Sequence, residues 1–268
     1  MRILNLGELG ARALIFGAPG SNLQAVMALL GQAARLRLPK RAVICTGDLT
    51  GPCGDPGAVV SVLRGSGCPI LAGDRERRLG RPAADAGLAE SAAEPPLAGW
   101  ERLARDRLPE ADRAWMGHLP DAILFDLRGR RHIVIHGGLA DPARRLWPTD
   151  GEEGFREEIA AIARRLPGVE IDTVVAGHSG LAFHRRIDGT GWINAGSIGF
   201  PENDGRPATR FVTLGPDGPR LHRLSYDVAG AQARMRALGL DPAAIDALAS
   251  GYWPQQQSLP PALRRKRG

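Results

Sequence analysis

Two aspartates and two histidines in this chain each stand where a run of strand formers gives way to a glycine-rich break. Arg41-Ala-Val-Ile-Cys-Thr-Gly47 leads to Asp48, and Pro69-Ile-Leu-Ala-Gly73 leads to Asp74. His132-Ile-Val-Ile runs into His136-Gly-Gly, and Thr173-Val-Val-Ala-Gly177 into His178. A side chain at the carboxyl end of a buried strand faces ligand while a rigid element holds it. Open α/β sheets bind their ligands in the crevice outside those strand ends. Two carboxylates and two imidazoles gathered there form a donor set for one metal ion, with Asp48 at its centre. Such donors suit Mn²⁺, Fe²⁺ or Zn²⁺ better than Mg²⁺ or Ca²⁺. Other readings stay open at this level. Asp48 could cap a turn, Asp74 could cap a helix opening at Arg75, and the histidines could be satisfied core residues.

The elements that must position these residues follow from period and punctuation. Ala11–Phe16 reads as the first core strand, followed by a tight turn over Gly17–Gly20. Ser21 and Gln24 have the spacing of a capping box, and Leu23, Val26, Met27 and Leu30 fall on one helical face. With the strand that leads to Asp48, this makes a βαβ unit. Asp55-Pro56 reads as N-cap and N1 of a short helix over Ala58–Leu63. Pro69–Ala72 reads as a strand, the range 80–96 as an irregular loop at the rim of the site, and Gly99–Leu108 and Glu110–Leu119 as helices. From Ala122 the period shortens: a hairpin turns at Arg128–Arg130, and a helix over Glu152–Leu166 follows. Further hairpins turn at Asp188-Gly189 and Pro216-Asp217-Gly218. The class is α/β (α+β), with two mixed sheets packed face to face and helices outside. The expected division is a domain over 1–225 and a helical extension over 226–268 that packs on it and ends in a disordered basic tail.

Composition narrows the function classes. With 268 residues, 43% of them hydrophobic, the chain can bury the core of one large sandwich. No apolar run reaches the ~18 residues of a membrane span, and the N-terminus lacks the layout of a signal peptide, so the expected location is cytoplasmic. Cys45, Cys53 and Cys68 are an odd number without CxxC spacing, which indicates neither a disulfide framework nor a zinc knuckle. Net charge is +6, partly through Arg264-Arg-Lys-Arg267. This balance favours anionic partners, phosphate esters and nucleic acid among them. Aromatics are 5% and not interleaved with the basic residues, so nothing supports a base-stacking surface.

Taken in order, Ala18-Pro-Gly20-Ser-Asn22, Gly47-Asp48, Gly73-Asp74-Arg75-Glu76, His136-Gly-Gly and Gly177-His178-Ser-Gly180 are similar to the five motifs of the calcineurin-like metallophosphoesterases. The segment Trp192-Ile-Asn-Ala-Gly-Ser-Ile-Gly199 resembles a further loop of that family. The resemblance covers most of Ala13 to Leu214. It implies a four-layer αββα sandwich and a metal-dependent phosphatase or phosphodiesterase acting on a small phosphorylated or nucleotide-like substrate.

The departures are informative. The family holds two adjacent ions, and the positions matching the ligands of the first are Ala18, Gly20 and Gly180, none with a donor side chain. The positions matching the second are Asp48, Asp74, His136 and His178, all able to ligate. The resemblance therefore implies one lost and one kept ion site. Asp74 stands where the family has a neutral Asn, and its charge partly offsets the missing neighbouring cation. Arg75 stands where the family has a His that assists the leaving group. A guanidinium cannot donate a proton at neutral pH but binds phosphate bidentately. The expected catalytic residues are Asp48, Arg75 and His136, and Asn22 and Arg75 are the expected substrate contacts. Activity on alkyl esters should be slow, because losing one general acid typically costs ~10²–10⁴-fold. The competing reading is an inactive member of this fold that binds a phosphate-bearing ligand or a protein partner.

Overall fold

The computed structural model describes residues 1–81 and 95–265. The expected rim loop over 80–96 and the last residues of the basic tail therefore lie largely outside the described residues. In chain order the strands and helices are β1 (Ile3–Glu8), β2 (Ala13–Phe16), α1 (Leu23–Arg35), β3 (Val43–Cys45), α2 (Pro56–Ser66), α3 (Asp74–Leu79), α4 (Pro95–Arg107) and α5 (Glu110–Gly117). They continue as β4 (Ala122–Leu127), β5 (Arg130–Val134), α6 (Glu152–Arg165), β6 (Thr173–Ala176), β7 (Ala182–Ile187), β8 (Thr190–Ala195), β9 (Thr209–Gly215), β10 (Gly218–Leu224), α7 (Val228–Ala237) and α8 (Pro242–Ser250).

The strands form a six-stranded sheet in the order β1-β4-β5-β6-β8-β7 and a four-stranded sheet in the order β10-β9-β2-β3. Both mix parallel and antiparallel pairs. β2 and β3 run parallel across the α1 crossover, as do β5 and β6 across α6. Alternation along β2 and β3 explains the layering. Leu14, Phe16, Val43 and Cys45 point into a core shared with α1, α2, α4 and α5. Ile15 and Ile44 point the other way, into a core between the sheets with Phe125, Val134, Val175, Ile193 and Val212. A third core packs Phe155 and Ile162 of α6 against Trp192, Phe183 and Ile133 on the far face of the larger sheet. The result is the expected αββα sandwich. Each fully buried side chain of this size contributes ~1.5–3 kcal/mol, so both central strands are fixed from two sides. Among the described residues no helix is long and apolar enough to cross a membrane.

Local differences from the sequence reading have simple causes. β1 precedes the expected first strand; it is an edge strand with no fully buried residue, so its alternation is too weak to read. Asn22, not Ser21, caps α1: its side chain accepts from the Ala25 N–H, while Ser21 sits at φ 63 in the turn before it. Pro69–Ala72 makes a single parallel bridge, Cys45 to Ile70, in place of a strand. Pro69 lacks an N–H, and the Ala72 N–H turns to the Pro120 carbonyl. α7 and α8 pack through Met235, Ile245 and Leu248 against Cys53 and Phe200, and Arg234 pairs with Asp55 at 2.7 Å.

Candidate metal centre

Asp48, Asp74, His136 and His178 arrive from four different segments and converge. Each places one donor atom so that all four lie within 4.8 Å of one another. His136 Nε2 is 3.4 Å from Asp48 Oδ1, 3.5 Å from Asp74 Oδ1 and 3.1 Å from His178 Nδ1. His178 Nδ1 is 3.5 Å from Asp74 Oδ1 and 3.8 Å from Asp48 Oδ2. Asp48 and His136 are buried, with Asp74 and His178 partly buried beside them.

Hydrogen bonding bears on the alternatives open in the sequence. α3 is capped by Gly73, so Asp74 is its first residue and not its cap. Asp48 Oδ1 and Asp74 Oδ1 are both buried without a hydrogen-bond partner. A buried carboxylate oxygen left unpaired is costly, and a cation is the natural occupant of the space two such oxygens share. The His136 Nδ1–H donates to the Thr46 carbonyl at 2.5 Å, which orients the ring so that Nε2 faces the cluster. The donor set fits a divalent metal ion.

The backbone under the cluster is unusual. Asp48 lies at φ 61 and His178 at φ 63, left-handed conformations that few non-glycine residues adopt, Asp and His more often than most. Gly73 is required by crowding: a Cβ there would sit 2.8 Å from His136 Cε1 and 2.9 Å from Asp48 Oδ1. Glu76 braces the arrangement. Its carboxylate, fully buried, accepts from the N–H groups of Asp48 at 2.8 Å, Leu49 at 2.8 Å and Gly73 at 2.9 Å. It thereby ties the loop carrying Asp48 to the start of the helix carrying Asp74. The sequence reading quoted Glu76 within a motif but gave it no part. Asn194 holds the Gly177 carbonyl at 2.6 Å, next to His178.

Charge in the centre is tightly coupled. Burial pushes the Asp48 carboxyl up, but Arg75, His136 and His178 more than reverse this and hold it well below the usual range. Burial and Asp48 likewise raise Asp74, while His136, His178 and Arg75 bring it down overall. Burial lowers His136, yet Asp48 and Asp74 carry it up to about 9. Burial dominates at His178, which is lowered, and burial together with Asp48 raises Glu76.

Arg75 lies beside Asp48. Its Nε is 3.5 Å from Asp48 Oδ2, its Nη1 donates to the Thr50 carbonyl at 2.8 Å, and its guanidinium lies 4.8 Å from the Trp100 ring centroid. Asn22 does not take the expected substrate-binding place. It is fully buried, its Oδ1 is used by Ala25 and its Nδ2 donates to the Gly199 carbonyl at 3.0 Å, so it clamps two backbone segments. Cys53 is buried with its thiol pushed up to about 12 by burial, which leaves it unreactive.

Ala18, Gly20 and Gly180 line the wall of a cavity that adjoins the cluster. No side-chain donor lies at these three positions, in keeping with the loss read from the sequence. The cavity's far wall comes from Trp253, Pro254, Gln255 and Ser258, downstream of α8, a contribution to which the sequence gave no signal.

A sequence-family profile described as the calcineurin-like phosphoesterase superfamily domain matches residues 25–215. Among solved structures, a metallophosphoesterase from Sphaerobacter thermophilus superposes with TM-score 0.68 at 23% identity, covering 90% of this chain and 99% of that one. A hypothetical protein from Pyrococcus horikoshii superposes with TM-score 0.78 at 14% identity, again over 90% and 99% of the two chains. Identities this low speak for the fold. No curated protein matches the sequence.

Proposed function

The chain belongs to the calcineurin-like phosphoesterase superfamily, and from that premise we propose that it is a metal-dependent hydrolase of phosphoric esters working from a single ion site. Asp48, Asp74, His136 and His178 would hold the ion, which is Mn, Fe or Zn by the chemistry of its donors. The substrate is a small phosphorylated or nucleotide-like molecule. The observation that carries this reading is the convergence of those four donors, two of them orphaned carboxylate oxygens. When bound, such an ion supplies Lewis-acid charge and lowers the pKa of a coordinated water from 15.7 to roughly 7.

The chain's own residues supply the remainder. Arg75, braced on Thr50 and Trp100, borders the cavity beside Asp48 and is placed to bind phosphoryl oxygens and offset the charge that grows on them in the transition state. Arg75 cannot protonate a leaving oxygen, so esters with good leaving groups are the favoured substrates. We treat residues 226–268 as an extension of the 1–225 domain, a division supported by the packing of α7 and α8 on Cys53 and Phe200.

The test is turnover of aryl phosphate mono- and diesters by purified protein supplied with Mn²⁺, Fe²⁺ or Zn²⁺. Saturable hydrolysis that follows metal content and disappears in Asp48→Ala and His178→Ala is expected. A metal-loaded chain without turnover of any such ester would contradict the reading. That outcome would favour the binding-module alternative, to which the donor-free wall of Ala18, Gly20 and Gly180 lends support. Thermal stabilisation by a phosphate ligand is then expected without hydrolysis.

A further inference from the structure

The cavity beside the cluster measures about 180 Å³, opens to solvent and has a chemically mixed lining. Asp48, Arg75 and His178 line it together with the apolar Pro52, Phe200 and Trp253. A ligand with an anionic group and a flat organic group finds a partner for each on this lining.

Trp253 is held in place by packing on Leu181 and Leu259 and by hydrogen bonds from both its indole and its backbone. Its indole Nε1–H donates to the Pro201 carbonyl at 2.6 Å, and its backbone N–H donates to Asn203 Oδ1 at 2.9 Å. Asn203 is itself buried and donates to Gln256 Oε1 and to the Leu263 carbonyl, both at 3.0 Å, so it fastens the whole segment downstream of α8. The ring lies against Gly180, where a Cβ would be 3.2 Å from the indole. Any side chain at that position would compete with the indole for space. Arg145, exposed on the same cavity, adds a second positive charge, and Asp241, whose carboxylate caps α8, adds a negative one.

We propose that this cavity is a specificity pocket for a phosphoric monoester whose organic group carries a planar ring, the ring lying against Trp253 and the phosphoryl group lying at Arg75 and the four-ligand cluster. The proposal rests on the hydrolase reading for the direction in which substrate enters. It also matches the lack of a proton donor at Arg75. In hydrolysis a new P–O bond forms to water, the ester P–O bond breaks, and the ring oxygen leaves with the electron pair. A phenolate-type oxygen can leave without taking a proton in that step, whereas an alkoxide cannot do so readily.

Calorimetric titration of the Mn²⁺-supplied full chain with phenylphosphonate and with ethylphosphonate separates pocket from catalysis, because neither compound is an ester. Phenylphosphonate should bind about tenfold more tightly, the scale expected of one ring buried against an aromatic wall. Trp253→Ala should shrink the ratio below about threefold with ethylphosphonate affinity unchanged, and Trp253→Phe should retain it. Circular dichroism checks that each variant is folded, and the wild-type ratio needs no variant. Equal affinities, no binding of phenylphosphonate, or a preference that persists in folded Trp253→Ala would overturn the proposal. Phenyl phosphate turnover is measured in parallel. Ring preference without turnover would remove the hydrolase reading and leave the pocket standing, and turnover without ring preference would do the reverse.

Discussion

Glu76 accepts a hydrogen bond from the backbone N–H of Asp48 at 2.8 Å, across 28 residues of sequence. The same carboxylate accepts from Leu49 and Gly73, so one buried side chain sets the spacing between the loop that presents Asp48 and the helix that presents Asp74. The metal centre therefore depends on a residue that contributes no ligand.

Glu76→Ala should lose metal affinity by about 10–100-fold, the usual cost of removing a group that orients ligands. It should also lower stability by on the order of 3 kcal/mol, since three buried N–H groups lose their acceptor. Competition with a chelating dye and urea unfolding measure the two effects. Wild-type affinity in the variant would show that the loop holds its shape unaided.

Gly73→Ala removes no donor, but its Cβ would press on His136 and Asp48. A drop in metal affinity is expected while the fold persists by circular dichroism. Unchanged affinity would mean that the site is looser than its geometry indicates.

For Arg75→Ala, kcat on an aryl phosphate should fall about 10²–10³-fold, as on losing one preorganised donor to a developing oxyanion. Metal content should be retained, because Arg75 is not a donor in the cluster. Arg75→Lys should rescue little, since an ammonium reproduces neither the paired N–H geometry nor the stacking on Trp100. Steady-state kinetics at fixed metal loading distinguish these outcomes, and a variant with full kcat would remove Arg75 from the reaction.

Much of this site could be read before any coordinates existed. Asp48, Asp74, His136 and His178 sit at breaks after apolar runs, and two-sided burial of β3 and β6 makes two of those runs easy to see. Trp253 could not be read in the same way. Its role depends on the route of the chain beyond α8 and on Asn203 fastening it 50 residues away in sequence. Asn22 misled because its motif position suggested a ligand contact, whereas its amide closes α1 and holds Gly199. β1 was missed because an edge strand with no fully buried residue has little pattern to show.

His132 offers a pH test away from the cluster. It is buried, stacked on Phe125 with centroids 4.9 Å apart, and neither ring nitrogen has a partner. Burial lowers its pKa to about 4 from 6.5. Below pH 6.5 the unfolded chain takes up a proton that the folded chain refuses, so stability falls as pH drops from 6.5 toward 4. This single group contributes on the order of 3 kcal/mol to that loss. Urea unfolding at pH 7.5 and 4.5 should show a smaller acid loss for His132→Phe than for wild type. Equal losses would place the acid sensitivity elsewhere.

Elemental analysis of the full chain, purified from cells supplied with ample Mn, Fe and Zn, puts the four-donor assignment at greatest risk. The expected result is close to one transition-metal ion per chain, falling toward zero in His178→Ala and in Asp74→Ala. A chain that comes out metal-free, or that holds two ions, would contradict it.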